Sequence, residues 1–193
     1  MIAVAVLAAT ASNPAYASDA KSRFAVKGAG ALPCRDFNAA IVARNSRAAA
    51  AAGWFAGYIS AANRYEPDTY ELLPWQDPLY LTASISAYCE ANPSARLYQA
   101  ADKLVKSLRA DRLKTATPMK ALVTDGTRIR IYAATVARMK RALQRRDMLT
   151  GPVNSNTDAA LVTGIRKFQK AQKLEVTGIP DQETLFRLLG AGK

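Results

Sequence analysis

The chain has no histidine in 193 residues. That removes the commonest general base and the commonest zinc ligand. No Gly-rich phosphate loop and no Gly-x-Ser-x-Gly nucleophile elbow is present. There are only two cysteines, Cys34 and Cys89, and without a histidine neither can form a Cys–His nucleophile pair. These absences argue against an enzyme, a resident metal and a cofactor. Long apolar runs are also missing. Ile2 to Ala11 is apolar but falls short of the about 20 residues a membrane span needs, and no later segment qualifies, so no transmembrane helix is expected. No Val/Ile/Thr-rich alternating run stands out, so little or no sheet is expected. No repeat at a solenoid period is found.

What is present begins at the N-terminus. The apolar run is followed by Ala15-Tyr16-Ala17, an Ala-x-Ala cleavage pattern, and then by the polar Ser18-Asp19. This predicts a secretory signal peptide over residues 1–17, although no Lys or Arg precedes the apolar run. Export implies an oxidising compartment, where an even cysteine count points to one Cys34–Cys89 disulfide. Two free buried thiols are the alternative. The net charge is +12 and uneven. Residues 18–110 carry 11 basic and 8 acidic side chains, and residues 111–193 carry 16 and 7. The basic excess of the second half favours anionic partners. Export makes nucleic acid the least suitable of these, and none is expected.

The apolar spacing is helical. Trp54, Gly57, Tyr58, Ala61 and Ala62 share one helix face, preceded by the helix-favouring Ala48 to Ala52 and stopped by Glu66-Pro67-Asp68. Leu81, Ile85, Tyr88 and Cys89 mark a second helix, ended by Asn92-Pro93. Ser94 is the expected N-cap of a third, with Leu97, Ala101, Leu104 and Leu108 inward. Residues 111–127 lose this periodicity and contain Thr115, Thr117, Pro118, Asp125 and Gly126, so they read as a linker. Beyond it, Val136, Met139 and Leu143 form one stripe, and Leu161, Ile165 and Phe168 another. Leu185, Leu188 and Leu189 lie on a last short helix opened by Pro180-Asp181 and closed by Gly190. The fold class is therefore all-α. A disulfide-stapled helical module (18–110) is followed, after the linker, by a three-helix bundle (128–193).

The order Val136-Ala-Arg-Met-Lys-Arg-Ala-Leu143, Gly151-Pro-Val-Asn154, Ile165-Arg-Lys-Phe168-Gln169, Leu174-Glu-Val-Thr177-Gly178 and Asp181-Gln-Glu-Thr184 resembles the peptidoglycan-binding domain found at one end of many cell-wall hydrolases. The resemblance covers about a quarter of the chain. It implies peptidoglycan as the partner. Phe168 reads as a core anchor. Gln169 sits on its helix flank, where an amide reaches loop backbone or ligand. Gly178 suits a positive-φ turn, and Asp181 a helix cap. Four positions at three places depart from the family pattern: Lys140 where Gln is usual, Asn154-Ser155 where Asp-Gly is usual, and Leu161 where Thr is usual.

Arg138, Arg141 and Arg145 fall on one face of the first helix of this bundle. Arg166, Lys167, Lys170 and Lys173 ride on the second. Stem peptides of the wall carry free carboxylates, which guanidinium groups pair with bidentately. A solvated, solubilising face is the plain alternative. The candidate ligand-binding residues are Asn154, Arg138, Arg141, Arg166, Gln169 and Lys170.

In the first half, Cys34, the Trp54-Phe-Ala-Gly57-Tyr58 helix, and Tyr88-Cys89-Glu-Ala-Asn92-Pro93 resemble the single-disulfide periplasmic proteins of the HdeA type, associated with acid stress. This resemblance implies a periplasmic location and a chaperone or interaction module, with an envelope protein as a second partner. From the residues alone, Trp54, Tyr58 and Tyr88 read as core. One hydrolytic chemistry survives the lack of histidine: glycosidases work with carboxylates, and Glu66, Asp68 and Glu71 are near one another in sequence. A solvated acidic loop after a helix explains them better. The reading that results is a noncatalytic exported protein that binds peptidoglycan through its C-terminal domain and holds a helical module at the wall. A periplasmic acid-stress or chaperone-like protein without wall affinity is the alternative, and a cell-wall glycosidase the second.

Overall fold

The structure, a computed structural model, describes Asp19, Lys21 and residues 23–190. The expected signal peptide, 1–17, lies outside the described residues. The first half holds four helices: α1 (Cys34–Ala43), α2 (Ser46–Tyr65), α3 (Pro78–Ala91) and α4 (Leu97–Leu108). The second half opens with an antiparallel hairpin, β1 (Met119–Thr124) and β2 (Thr127–Tyr132), and continues with α5 (Ala133–Gln144), α6 (Ala159–Ala171) and α7 (Gln182–Leu185). Helix dominates, as the sequence implies, and the sheet is minor.

Helix α1 was not anticipated. Its signal is the apolar triplet Cys34, Phe37 and Ile41 at i, i+3 and i+7, with Pro33 immediately before it. The α2 helix starts where Asn45 accepts hydrogen bonds from the Arg47 and Ala48 amides and ends at Glu66. The α4 helix starts two residues later than Ser94 predicts. Arg96 is its N-cap, and the Gln99 side chain accepts from the Arg96 amide at 2.8 Å.

Cys34 and Cys89 form the expected disulfide, tying the first residue of α1 to α3. It sits in a core with Phe37, Ala51, Ile85, Leu97 and Ala100. A neighbouring core gathers Ile59, Leu72, Leu81, Val105 and Leu108. Phe55 and Leu104 pack against both, so the four helices form one continuous module.

The segment 111–127, expected as a linker, carries strand β1 and the hairpin turn. The sheet is small but contributes to the core. Leu122 and Ile131 join Val136, Met139, Leu143, Leu161, Ile165, Phe168, Leu185 and Leu188. The turn is Asp125-Gly126, with φ of 47° and 78°, the two-residue arrangement whose twist matches paired strands. Thr127-Arg-Ile-Arg-Ile-Tyr132 alternates outward and inward as a half-buried strand does. Both signals are local in the sequence.

The halves touch. Trp75, from the loop after α2, packs on the second-half core. Thr135 Oγ1 donates to the Pro74 carbonyl at 3.1 Å. The Asp77 amide donates to Gln182 Oε1 at 2.6 Å. Tyr70 and Tyr132 meet edge to face, centroids 6.3 Å apart. Burial, with Glu71 and Tyr70 alongside, pushes the Tyr132 phenol up.

Candidate functional site

The helix pair α5–α6 is joined by the loop 145–158, and this loop is pinned from below. Lys140 is almost fully buried in α5, and its ammonium donates to Asn154 Oδ1 at 2.8 Å and to Asp158 Oδ2 at 2.7 Å. A buried ammonium needs such partners, because burial without them costs far more than any packing gain. Asp158 is also the α6 N-cap and accepts from the Leu161 amide at 3.0 Å. The Lys140 ammonium, with that amide, holds the Asp158 carboxyl below its ordinary value. Two departures from the wall-binding pattern, Lys140 and Asn154, thus form a single contact. The third, Leu161, is fully buried in the core.

Gln169 is not available to a ligand. It is fully buried, and its Nε2 lies within hydrogen-bond range of Thr177 Oγ1, the Ile179 carbonyl and Thr184 Oγ1. Its Oε1 accepts from the Gly178 amide at 2.8 Å. The side chain organises the 174–181 loop. Gly178 there has a φ of 73°, and a Cβ would meet Arg166 and Val162 at 2.9 Å. The Asp181 carboxylate caps α7 by accepting from the Thr184 amide at 2.7 Å.

The remaining candidate residues divide. Arg166 donates to Thr124 Oγ1 at 3.1 Å and pairs with Asp125 at 2.7 Å, fastening the hairpin to α6. Arg138 donates to the Asp111 carbonyl at 2.8 Å and pairs with the buried Asp111 carboxylate. Asn154 is held by Lys140 and accepts from the Asn156 amide. Arg141 and Lys170 are exposed, as are Arg145 and Lys167, and none of these four makes a side-chain ion pair or hydrogen bond among the described residues. Arg138, Arg141 and Arg145 come together with Leu189 around a cavity of about 110 Å³. Sequence reasoning missed Lys140 and Asp158 as the pair that sets the loop. Their separation of eighteen positions leaves no local signal.

Two of the three carboxylates near one another in sequence, Glu66 and Glu71, are engaged structurally. Glu66 pairs with Arg109 at 2.6 Å. Glu71 accepts from Asn63 Nδ2 at 3.1 Å and from the Leu73 amide at 2.9 Å. Asp68 sits in a turn with φ 51°.

An apolar opening lies in the first half. A groove of about 370 Å³ runs between α1, α2 and α3, lined by Phe37, Ile41, Ala52, Phe55, Leu81 and Ile85, with Asn63, Glu71 and Gln76 at its polar end. Beside it, Tyr58 stacks on Trp54 with centroids 5.2 Å apart. Burial, with Asp102 and Glu66 nearby, pushes the Tyr58 phenol up to about 12. No group of three or more metal-ligating side chains occurs among the described residues, and no described helix is long and apolar enough to cross a membrane.

Two family models match the sequence. The HdeA/HdeB family model matches residues 1–99, which include α1 to α3 and the first turn of α4. The peptidoglycan binding domain model matches residues 133–188, from the first residue of α5 through α6 and α7. No curated protein and no solved structure matches the chain.

Proposed function

We propose, on the premise that the chain belongs to the HdeA/HdeB family, that it is a noncatalytic protein of the bacterial envelope. In this reading its C-terminal domain binds peptidoglycan and holds the HdeA-type module at the wall, in the periplasm. The observation that carries it is the wall-binding domain match over 133–188. The three helices of that match share one closed core with the hairpin. The exposed Arg141, Arg145, Lys167 and Lys170 supply cations for the carboxylates of stem peptides.

Co-sedimentation with purified sacculi tests the reading, using the chain from Ser18. Pelleting at low ionic strength is expected, falling steeply above about 0.15 M salt, where charges farther apart than about 8 Å are screened. A protein that stays in the supernatant at every salt concentration refutes wall binding. Pelleting that salt does not change refutes the cationic contribution.

A second reading has its own support in the open apolar groove of α1 to α3. An HdeA-type module that loosens in acid would widen such a groove and expose apolar surface. Apolar-dye binding and protection of an aggregating protein at pH 2–3 are then expected. Absence of both ends that reading and leaves the wall reading untouched.

A further inference from the structure

Three arginines with one sign of charge line a single small cavity, and nothing among the described residues neutralises two of them. We infer that the cavity bounded by Arg138, Arg141, Arg145 and Leu189 is a carboxylate-binding subsite that takes a free stem-peptide carboxylate of peptidoglycan. The inference rests on the wall-binding reading and assigns part of its recognition to this cavity.

The geometry starts with the spacing. Arg138 and Arg141 at i and i+3 share one face of α5, Arg145 at the C-cap continues that face, and the three converge with Leu189 on about 110 Å³. Like charges at these spacings oppose the helix rather than support it. Only Arg138 is compensated, by the carbonyl and carboxylate of Asp111. Arg141 and Arg145 make no side-chain ion pair or hydrogen bond among the described residues. Placement near the C-terminal end of α5 offsets part of the repulsion, because the helix dipole favours cations there. It leaves the guanidinium donors unused.

The size of the cavity fixes the class of ligand group. Pockets for drug-sized molecules run from about 300 to 1,000 Å³, so this smaller one suits a single small anionic head. Planar guanidinium forks match a carboxylate in two parallel hydrogen bonds. Leu189 offers an apolar wall to the adjoining carbon chain. The subsite is composite. Asp111 lies just beyond α4, at the end of the first half, and both terminal nitrogens of Arg138 are committed to it. Arg138 is thereby held in place, and Arg141 and Arg145 remain as the ligand donors. Docking of the two halves completes the site.

The test uses the whole chain from Ser18. Affinity is measured for a purified disaccharide-tetrapeptide with free carboxylates and for the same molecule with its carboxylates amidated. Inorganic phosphate serves as a competitor in a separate arm. The variants are R141Q/R145Q and a charge-matched control, K103Q/K114Q, at exposed lysines outside the cavity. The parent protein should prefer the free-carboxylate ligand by about tenfold or more, the scale of one charge-assisted pair. R141Q/R145Q should lose that preference, and K103Q/K114Q should keep it. The subsite is overturned if R141Q/R145Q keeps the preference, or if the control loses it equally. It is also overturned if phosphate displaces the ligand while amidation has no effect, which would mark a phosphate site. Pelleting with sacculi but no carboxylate preference overturns the subsite alone. No pelleting by the parent protein overturns the wall reading, and the subsite with it.

Discussion

Replacing Gln169 with Leu separates a structural role from a ligand contact. The two side chains are close in size, so the change removes polar atoms without opening a large cavity. Gln169 is fully buried, and its Oε1 is the acceptor for the buried Gly178 amide. Leucine leaves that amide unsatisfied, at about 1–3 kcal/mol. The contact from Nε2 to Thr184 Oγ1 contributes about another 1 kcal/mol. The Ile179 carbonyl keeps the Asp181 amide as a partner and adds little. The total is about 3 kcal/mol, which in a chain of this size lowers the melting temperature by about 6–12 °C. Urea unfolding should show a lower midpoint at an unchanged slope. Sacculus binding, measured well below the melting temperature and corrected for folded fraction, should match the parent protein. A Q169L protein of parental stability that no longer binds sacculi would refute the reasoning and return Gln169 to the ligand.

Other perturbations probe the remaining contacts. Removing the disulfide with C34A/C89A opens a constraint between residues 55 apart and should cost about 4 kcal/mol by the chain-entropy model, read as a lower melting temperature that reductant no longer shifts. Asp158 has a lowered folded pKa, caused first by Lys140. Its contribution to stability is therefore present above the ordinary carboxylate pKa and is lost as pH falls through the lowered one. K140Q should flatten the stability–pH curve below about pH 4, and a curve with the parental slope there would contradict the assignment. A Cβ at Gly30 would overlap the Trp54 indole, so G30A should displace the indole at a cost of about 1–3 kcal/mol, with a shifted tryptophan emission as the direct readout.

Much of this architecture can be read locally. The apolar periodicities of α2, α3, α5 and α6, the Asp181 cap and the Gly178 turn follow from neighbours within a helical turn or a short loop. The hairpin was also written locally, in Asp125-Gly126 and the alternation of Thr127 to Tyr132, but its turn residues resemble linker composition. Its strands pair only six residues each, and their burial depends on Leu122 and Ile131 meeting a helical core. A fragment meant to carry the domain matched over residues 133–188 must therefore begin before Met119.

The sequence by itself determined a mostly helical chain with two family signatures, because helix periodicity, caps and motif spacing are short-range properties. It also determined which residues carry positive charge. Only the tertiary structure decided which of those charges are free. Arg138 and Arg166 look equivalent to Arg141 along the chain, yet the first is held by Asp111 and the second by Asp125. Lys140 appears in the sequence as a departure from the family pattern and is a buried pin in the fold. The physical reason is that ion pairs and buried amides are satisfied by partners brought together through packing. In this chain the ion-pair partners lie 18, 27 and 41 positions away, beyond the reach of any periodicity.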